Sequence, residues 1–148
     1  MHEEKIYIYT FYRFKDLESI SGIKYKLNNF TKEKKLFGTI LIANEGINGT
    51  VSGTEKNLDS LIAFIKKILK IKKFSIKISK NQFVPFYRLK IRLKKEIVTI
   101  GDKSIKPGKI AGKYIQPKNW DKIINDKNYL IIDTRNEYEI SIGTFNNA

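Results

Sequence analysis

The 148 residues carry 29 Lys+Arg against 15 Asp+Glu, a formal charge of +14, yet 41% of them are hydrophobic and 12% aromatic, which excludes a disordered basic tail and implies a folded chain. Cysteine is absent and the single histidine is His2, so disulfide frameworks, thiolate metal sites and sulfur nucleophiles are excluded within these residues, and Ser–His or His-rich metal chemistry is reduced to schemes hanging on a terminal residue. The acidic start Met1-His2-Glu3-Glu4 is unlike a basic leader and no apolar run approaches the ~18 residues that span a bilayer, so the expectation is a cytoplasmic protein with no membrane partner.

Ile6 to Phe14 alternates two faces, Ile6, Ile8, Thr10 and Tyr12 on one and Tyr7, Tyr9 and Phe11 on the other, which predicts a strand covered at least partly on both. Asp16 is a candidate cap for a helix whose apolar positions Ile20, Ile23, Leu27 and Phe30 keep helical spacing, with Gly22 as its weak point. Leu36 to Asn44 predicts a second strand through Ile40-Leu41-Ile42-Ala43. Asn48-Gly49, prone to positive φ, places the tight connection of a hairpin before a short strand through Val51. Thr54 is the expected N-cap of the best helix in the sequence, with Leu58, Leu61, Ile62, Ile65, Ile68 and Leu69 on one face and Lys66, Lys67 and Lys70 on the other. Phe74, Ile76 and Ile78 alternate with Ser75 and Lys77 in a fourth strand. The order strand, helix, strand, strand, helix, strand is the ferredoxin-like split βαβ arrangement, an α+β fold with an antiparallel sheet and two helices on one face.

Further on, Leu89, Ile91 and Leu93 alternate with Lys90, Arg92 and Lys94, and Ile97 to Ile100 follows Lys95-Glu96, which predicts an extension hairpin with a basic outer face. Gly101 to Gly112 has linker composition. Pro117 opens a short helix containing Trp120, Ile123 and Ile124, and Tyr129 to Ile132 is a buried-type strand ending at Asp133. One helix and one strand cannot cover both faces of such a strand. The expected organisation is therefore a domain over 1–100, a linker over 101–112, and the opening of a second, incomplete domain over 113–148.

The charge is concentrated. Residues 55–95 hold 13 basic and 2 acidic groups, whereas 1–54 hold 8 and 6 and 96–148 hold 8 and 7. A codon bias toward Lys, 25 against 4 Arg, explains part of this excess but not the scarcity of Asp and Glu. Such a block draws polyanions, and the candidate RNA-binding set is Lys66, Lys67, Lys70, Lys72, Lys73, Lys77, Lys80, Arg88, Lys90 and Arg92, continuing into Lys94 and Lys95, with Phe83, Phe86 and Tyr87 interleaved as rings for unstacked bases. The competing reading is a solvated lysine face without a partner. The binding reading requires the cations to form one surface and the affinity to fall steeply with salt.

Three ordered segments carry a resemblance: Ala43-Asn44-Glu45-Gly46-Ile47-Asn48-Gly49-Thr50, Arg88 to Val98, and Asp133-Thr134-Arg135-Asn136-Glu137-Tyr138-Glu139 with Ile142-Gly143-Thr144-Phe145. Together, over essentially the whole chain, they resemble the oxygen-dependent tRNA uridine hydroxylases, rhodanese-domain proteins with a ferredoxin-like or acylphosphatase-like N-terminal module. The resemblance implies tRNA as partner, hydroxylation of a wobble uridine to 5-hydroxyuridine, molecular oxygen as co-substrate, and motif residues Asn44, Glu45, Gly46, Asn48, Gly49, Asp133 and Arg135. It also implies that residues 113–148 open a rhodanese-like α/β domain whose active-site cysteine lies beyond Ala148, so that no catalytic residue, metal ligand or cofactor site is assigned within this chain. Plainer readings stand beside these. Residues 44–49 can be turn chemistry, with Glu45 a general base only by guess; Asp133 and Arg135 can be a structural ion pair at a strand end; and Trp120 can be packing. An RRM-type RNA module, for which Tyr7, Tyr9 and Phe11 would be stacking residues, an acylphosphatase, and an inactive gene fragment complete the alternatives.

Overall fold

The computed structural model describes residues 5–97, 101–102, 112–146 and 148. The chain divides into two compact units, Met1–Ile110 and Ala111–Ala148.

In the first unit, β1 (Ile6–Phe14), β2 (Leu36–Ala43), β3 (Gly46–Gly53), β4 (Ser75–Asn81) and β5 (Leu89–Leu93) form one sheet in the order β4-β1-β3-β2-β5. The helices are α1 (Ile20–Thr31) and α2 (Glu55–Leu69). Every pairing is antiparallel except β2–β5, which is parallel. The βαββαβ core is the expected ferredoxin-like fold, and the fifth strand makes its sheet mixed. Lys90 and Arg92 stand on β5, which runs parallel beside β2, fixed at its ends by Gly38 N–H donating to Arg88 C=O (3.0 Å) and Lys94 N–H to Ile42 C=O (2.8 Å). The second arm expected over 97–100 lies outside the described residues after Ile97, and Ile97 itself is not in a strand. The linker expected over 101–112 falls mostly outside them too.

α2 forms as its sequence dictates. Thr54 Oγ1 accepts from Asn57 N–H, and Leu58, Leu61, Ile62, Ile65 and Leu69 are buried. Glu55 stands in the first turn and Lys66 and Lys67 in the last, matching the helix dipole. Lys15 supplies a closure that local spacing does not announce: its Nζ donates to the C-terminal carbonyls of Leu69 (2.7 Å) and Lys70 (3.2 Å). α1 stacks on α2 through Phe30 and Phe64, whose ring centroids lie 4.1 Å apart. Its N-cap position is Ser19, in the left-handed region, not Asp16. Residues 15–17 are held elsewhere, with Lys15 N–H on Glu45 C=O and Leu17 N–H on Asn44 C=O, which carries Asp16 off the helix start.

The β2–β3 connection is Asn44-Glu45, four residues earlier than Asn48-Gly49. Gly46 takes φ +148°, and a Cβ there would lie 2.1 Å from the Arg13 carbonyl oxygen. Gly49 is required for a different reason. It sits inside β3 under the Phe11 ring, where a Cβ would be 2.7 Å from Cζ.

In the second unit, a 3-10 turn at Pro117–Asn119 leads into α3 (Trp120–Ile124), as expected, and α4 (Glu137–Ile140) follows. Asn136 and Glu139 form a capping box at α4, a signal readable in Asn-x-x-Glu. Tyr129 to Ile132 is not a strand. Leu130 is 82% and Ile132 70% exposed, and no strand among the described residues of this unit offers a ladder to pair with.

Candidate nucleic-acid interface

Cross-strand register sorts the side chains of the first unit onto two faces. The row Ile76, Phe11, Gly49, Ile40, Ile91 turns toward α1 and α2 and, with Tyr9, Ile42, Ile47 and Val51, forms the core. Tyr7, Tyr9 and Phe11 therefore pack inward and cannot act as an RRM-type stacking platform. The opposite face carries two polar rows, Lys77, Thr10, Thr50, Thr39, Lys90 and Ser75, Tyr12, Asn48, Leu41, Arg92. The Thr10 and Thr50 hydroxyls meet at 3.2 Å, Tyr12 is 54% exposed, and neither row contains a carboxylate.

The basic set does not form one surface. Lys66, Lys67 and Lys70 belong to the end of α2, with Lys72 and Lys73 directly after it, on the helix side of the sheet. Lys80 pairs with Tyr7 and lies 5.5 Å from its ring centroid, also on that side. Lys77 stands at one border of the open face and Lys90 and Arg92 at the other, four strand spacings or roughly 19 Å away. Lys77 and Lys80, three residues apart on β4, fall on opposite sides of the sheet by alternation, and with the α2 lysines on the helix side this divides the stretch.

Asn44 is exposed at the turn, and Asn48 is half-buried on the open face between Tyr12 and Leu41. Glu45 Oε1 accepts the backbone N–H of Ile97 while its carbonyl accepts from Lys15, so this residue ties the turn to the chain leaving β5. Beside β5, Gly38, Thr39, Pro85, Phe86, Tyr87, Arg88 and Lys90 line an open groove of about 360 Å³. The sequence alone points to Arg88, Lys90, Phe86 and Tyr87 but not to Thr39 or Gly38, which join them only through the parallel β2–β5 pairing.

In the second unit, Asp133 and Arg135 are an ion pair (2.6 Å), as the plainer reading expected, though not at a strand end. Asp133 also accepts from the Arg135 backbone N–H and from Thr144 Oγ1 (2.8 Å), and Arg135 Nη2 donates to Gly143 C=O (2.7 Å). These bonds close residues 133–144 into one loop. The Arg135 side chain, its backbone N–H and the Thr144 hydroxyl hold the Asp133 carboxyl well below the usual carboxylate range, and Asp133 raises the Arg135 guanidinium in turn. Trp120 stacks on Phe145 at 5.0 Å and 15°, which spends one face of the indole within the unit. Among the described residues no group of three or more His, Cys, Asp or Glu could hold a metal ion, and no helix is long and apolar enough to cross a membrane.

Solved structures with a similar core include an acylphosphatase from Bacillus subtilis (17% identity, 59% of this chain and 98% of that one, TM-score 0.42). Others are the BLUF protein BlrB in its dark state (12% identity, 63% and 75%, TM-score 0.47) and full-length HypF in its phosphate- and nucleotide-bound form (18% identity, TM-score 0.43). The match to HypF covers 63% of this chain and 12% of HypF's length. The family model described as the UPF0176 acylphosphatase-like domain matches residues 6–97, which span all five strands and both long helices. The chain belongs to the UPF0176 family and carries its acylphosphatase-like N-terminal domain.

Proposed function

We propose that this chain is the RNA-positioning part of an oxygen-dependent tRNA uridine hydroxylase, the enzyme class that converts a wobble uridine to 5-hydroxyuridine. The observation that carries the reading is the open sheet face, with hydroxyl, amide and phenol groups in its middle, Lys77 at one border, Lys90 and Arg92 at the other, and no carboxylate in either row. Such a face meets phosphates at its rims and leaves Tyr12 for a base. The three ordered motif segments supply the reaction class. In the same reading, residues 113–148 begin a rhodanese-like domain, and the closed Asp133–Thr144 loop is a rigid element of it.

Within these 148 residues there is no sulfur nucleophile, so their share of the work is to bind and orient RNA. The chain alone is expected to bind tRNA without hydroxylating it. A non-catalytic RNA-binding module would use the same face and is the second reading. Nucleoside analysis of tRNA from cells with and without the gene tests the first: 5-hydroxyuridine should disappear with the gene, and an unchanged level removes the hydroxylase assignment.

A further inference from the structure

We propose that the groove beside β5 seats one unpaired nucleotide of an RNA strand, its phosphate on Arg88 and Lys90 and its base against Tyr87 and Phe86. The inference deepens the RNA reading and rests on it.

The β2–β5 side of the groove is fixed by the fold. Thr39 and Lys90 are register partners in the β2–β5 pairing, and Gly38 N–H to Arg88 C=O ties the mouth of that ladder. The volume, about 360 Å³, lies at the small end of ligand clefts, which run from roughly 300 to 1,000 Å³, and suits a single base with its sugar and phosphate. The lining is chemically mixed in the way a nucleotide is. Arg88 offers a planar fork and Lys90 a point charge to phosphate oxygens, while the Thr39 hydroxyl is a donor and acceptor for a base or ribose edge. No acidic side chain lines the groove to neutralise the cations, and among the described residues neither cation takes part in an ion pair. The Tyr87 ring is fully exposed, a large aromatic surface that no element of its unit covers. Lys90 and Thr39 also end the row running through Thr50 and Thr10 to Lys77, so a strand leaving the groove continues onto the open face.

The test uses the full 148-residue chain, labelled with nitrogen-15 and titrated with uridine 5′-monophosphate, a short uridine-rich single strand and a blunt RNA duplex. The single strand should shift the amides of Gly38, Thr39 and Arg88. Tyr87→Ala and Arg88→Gln, both at exposed positions, should each weaken single-strand binding by about 5- to 100-fold, the range expected when a stacking ring or a phosphate partner is removed, and leave duplex binding within about twofold. Unchanged melting temperatures show that the variants fold. If the wild-type chain binds the single strand and both variants bind it equally well, the groove assignment is overturned and the RNA reading survives. If the monophosphate saturates the groove and the strand does not compete, the site serves a free nucleotide and the strand assignment is wrong. If no RNA binds at moderate salt, the RNA reading falls and the groove proposal with it.

Discussion

Tyr9 is a buried phenol at the centre of the helix-facing layer, with its hydroxyl donating to Asp59 Oδ1 at 2.8 Å. Burial, reinforced by Asp59, pushes its pKa up to about 12. An unfolded tyrosine ionises near pH 10, so below that pH the group is neutral in both states and adds no pH dependence. Between about pH 10 and 12 the unfolded chain releases a proton that the folded one retains, and stability falls. Tyr9→Phe is expected to lose about 0.5–1.5 kcal/mol at neutral pH with the hydrogen bond, and to show a shallower alkaline decline than the wild type, as read by denaturant titration at pH 8 and pH 11.5. Equal alkaline slopes would show that Tyr9 ionises as it does in the unfolded chain. At this scale the sequence was legible in residue types more than in roles. The glycines of Glu45-Gly46-Ile47-Asn48-Gly49 announced special backbone, but one serves the turn and the other clears a distant ring. Only the fold brings Phe11 over Gly49.

Among the elements, α2 was readable because its causes are local: an apolar stripe at helical spacing behind Thr54. Thr54→Ala is expected to cost about 1 kcal/mol in urea unfolding, and Thr54→Ser to restore most of it, because Ser also accepts from the Asn57 N–H. Equal stability of the Ala and Ser variants would take the cap out of the account of α2. Other elements have distant causes. Alternation in 89–93 showed a strand, but its parallel place beside β2 is set by a partner some fifty residues earlier, and Glu45 helps by holding the Ile97 amide. The apolar run at 129–132 had strand composition without a ladder to join. Asp16 had the chemistry of a cap and the wrong neighbours.

For the molecule as a whole, the sequence showed how much charge the middle third carries and not which way it points. Of the ten basic residues singled out, Lys77, Lys90 and Arg92 share the open sheet face by register, while Lys80 and the α2 lysines stand on the other side. The salt dependence of RNA binding should therefore be carried unequally. A Lys77→Gln, Lys90→Gln, Arg92→Gln triple variant is expected to flatten the slope of log affinity against log salt by about 2, at ~0.7 for each single-strand phosphate left without its cation, and Lys66→Gln, Lys67→Gln, Lys70→Gln to change it little. The reverse result would move the interface to the helices. The same residues bear on how the protein meets itself. Among the described residues β4 and β5 are the border strands of the sheet, the kind of edge to which a second copy can add its own strand about 4.8 Å away. With Lys77 and Lys80 on one border and Lys90 and Arg92 on the other, any two borders that join bring ammonium or guanidinium groups against one another, so the arrangement that welcomes a polyanion also keeps copies of this chain from zipping into fibres.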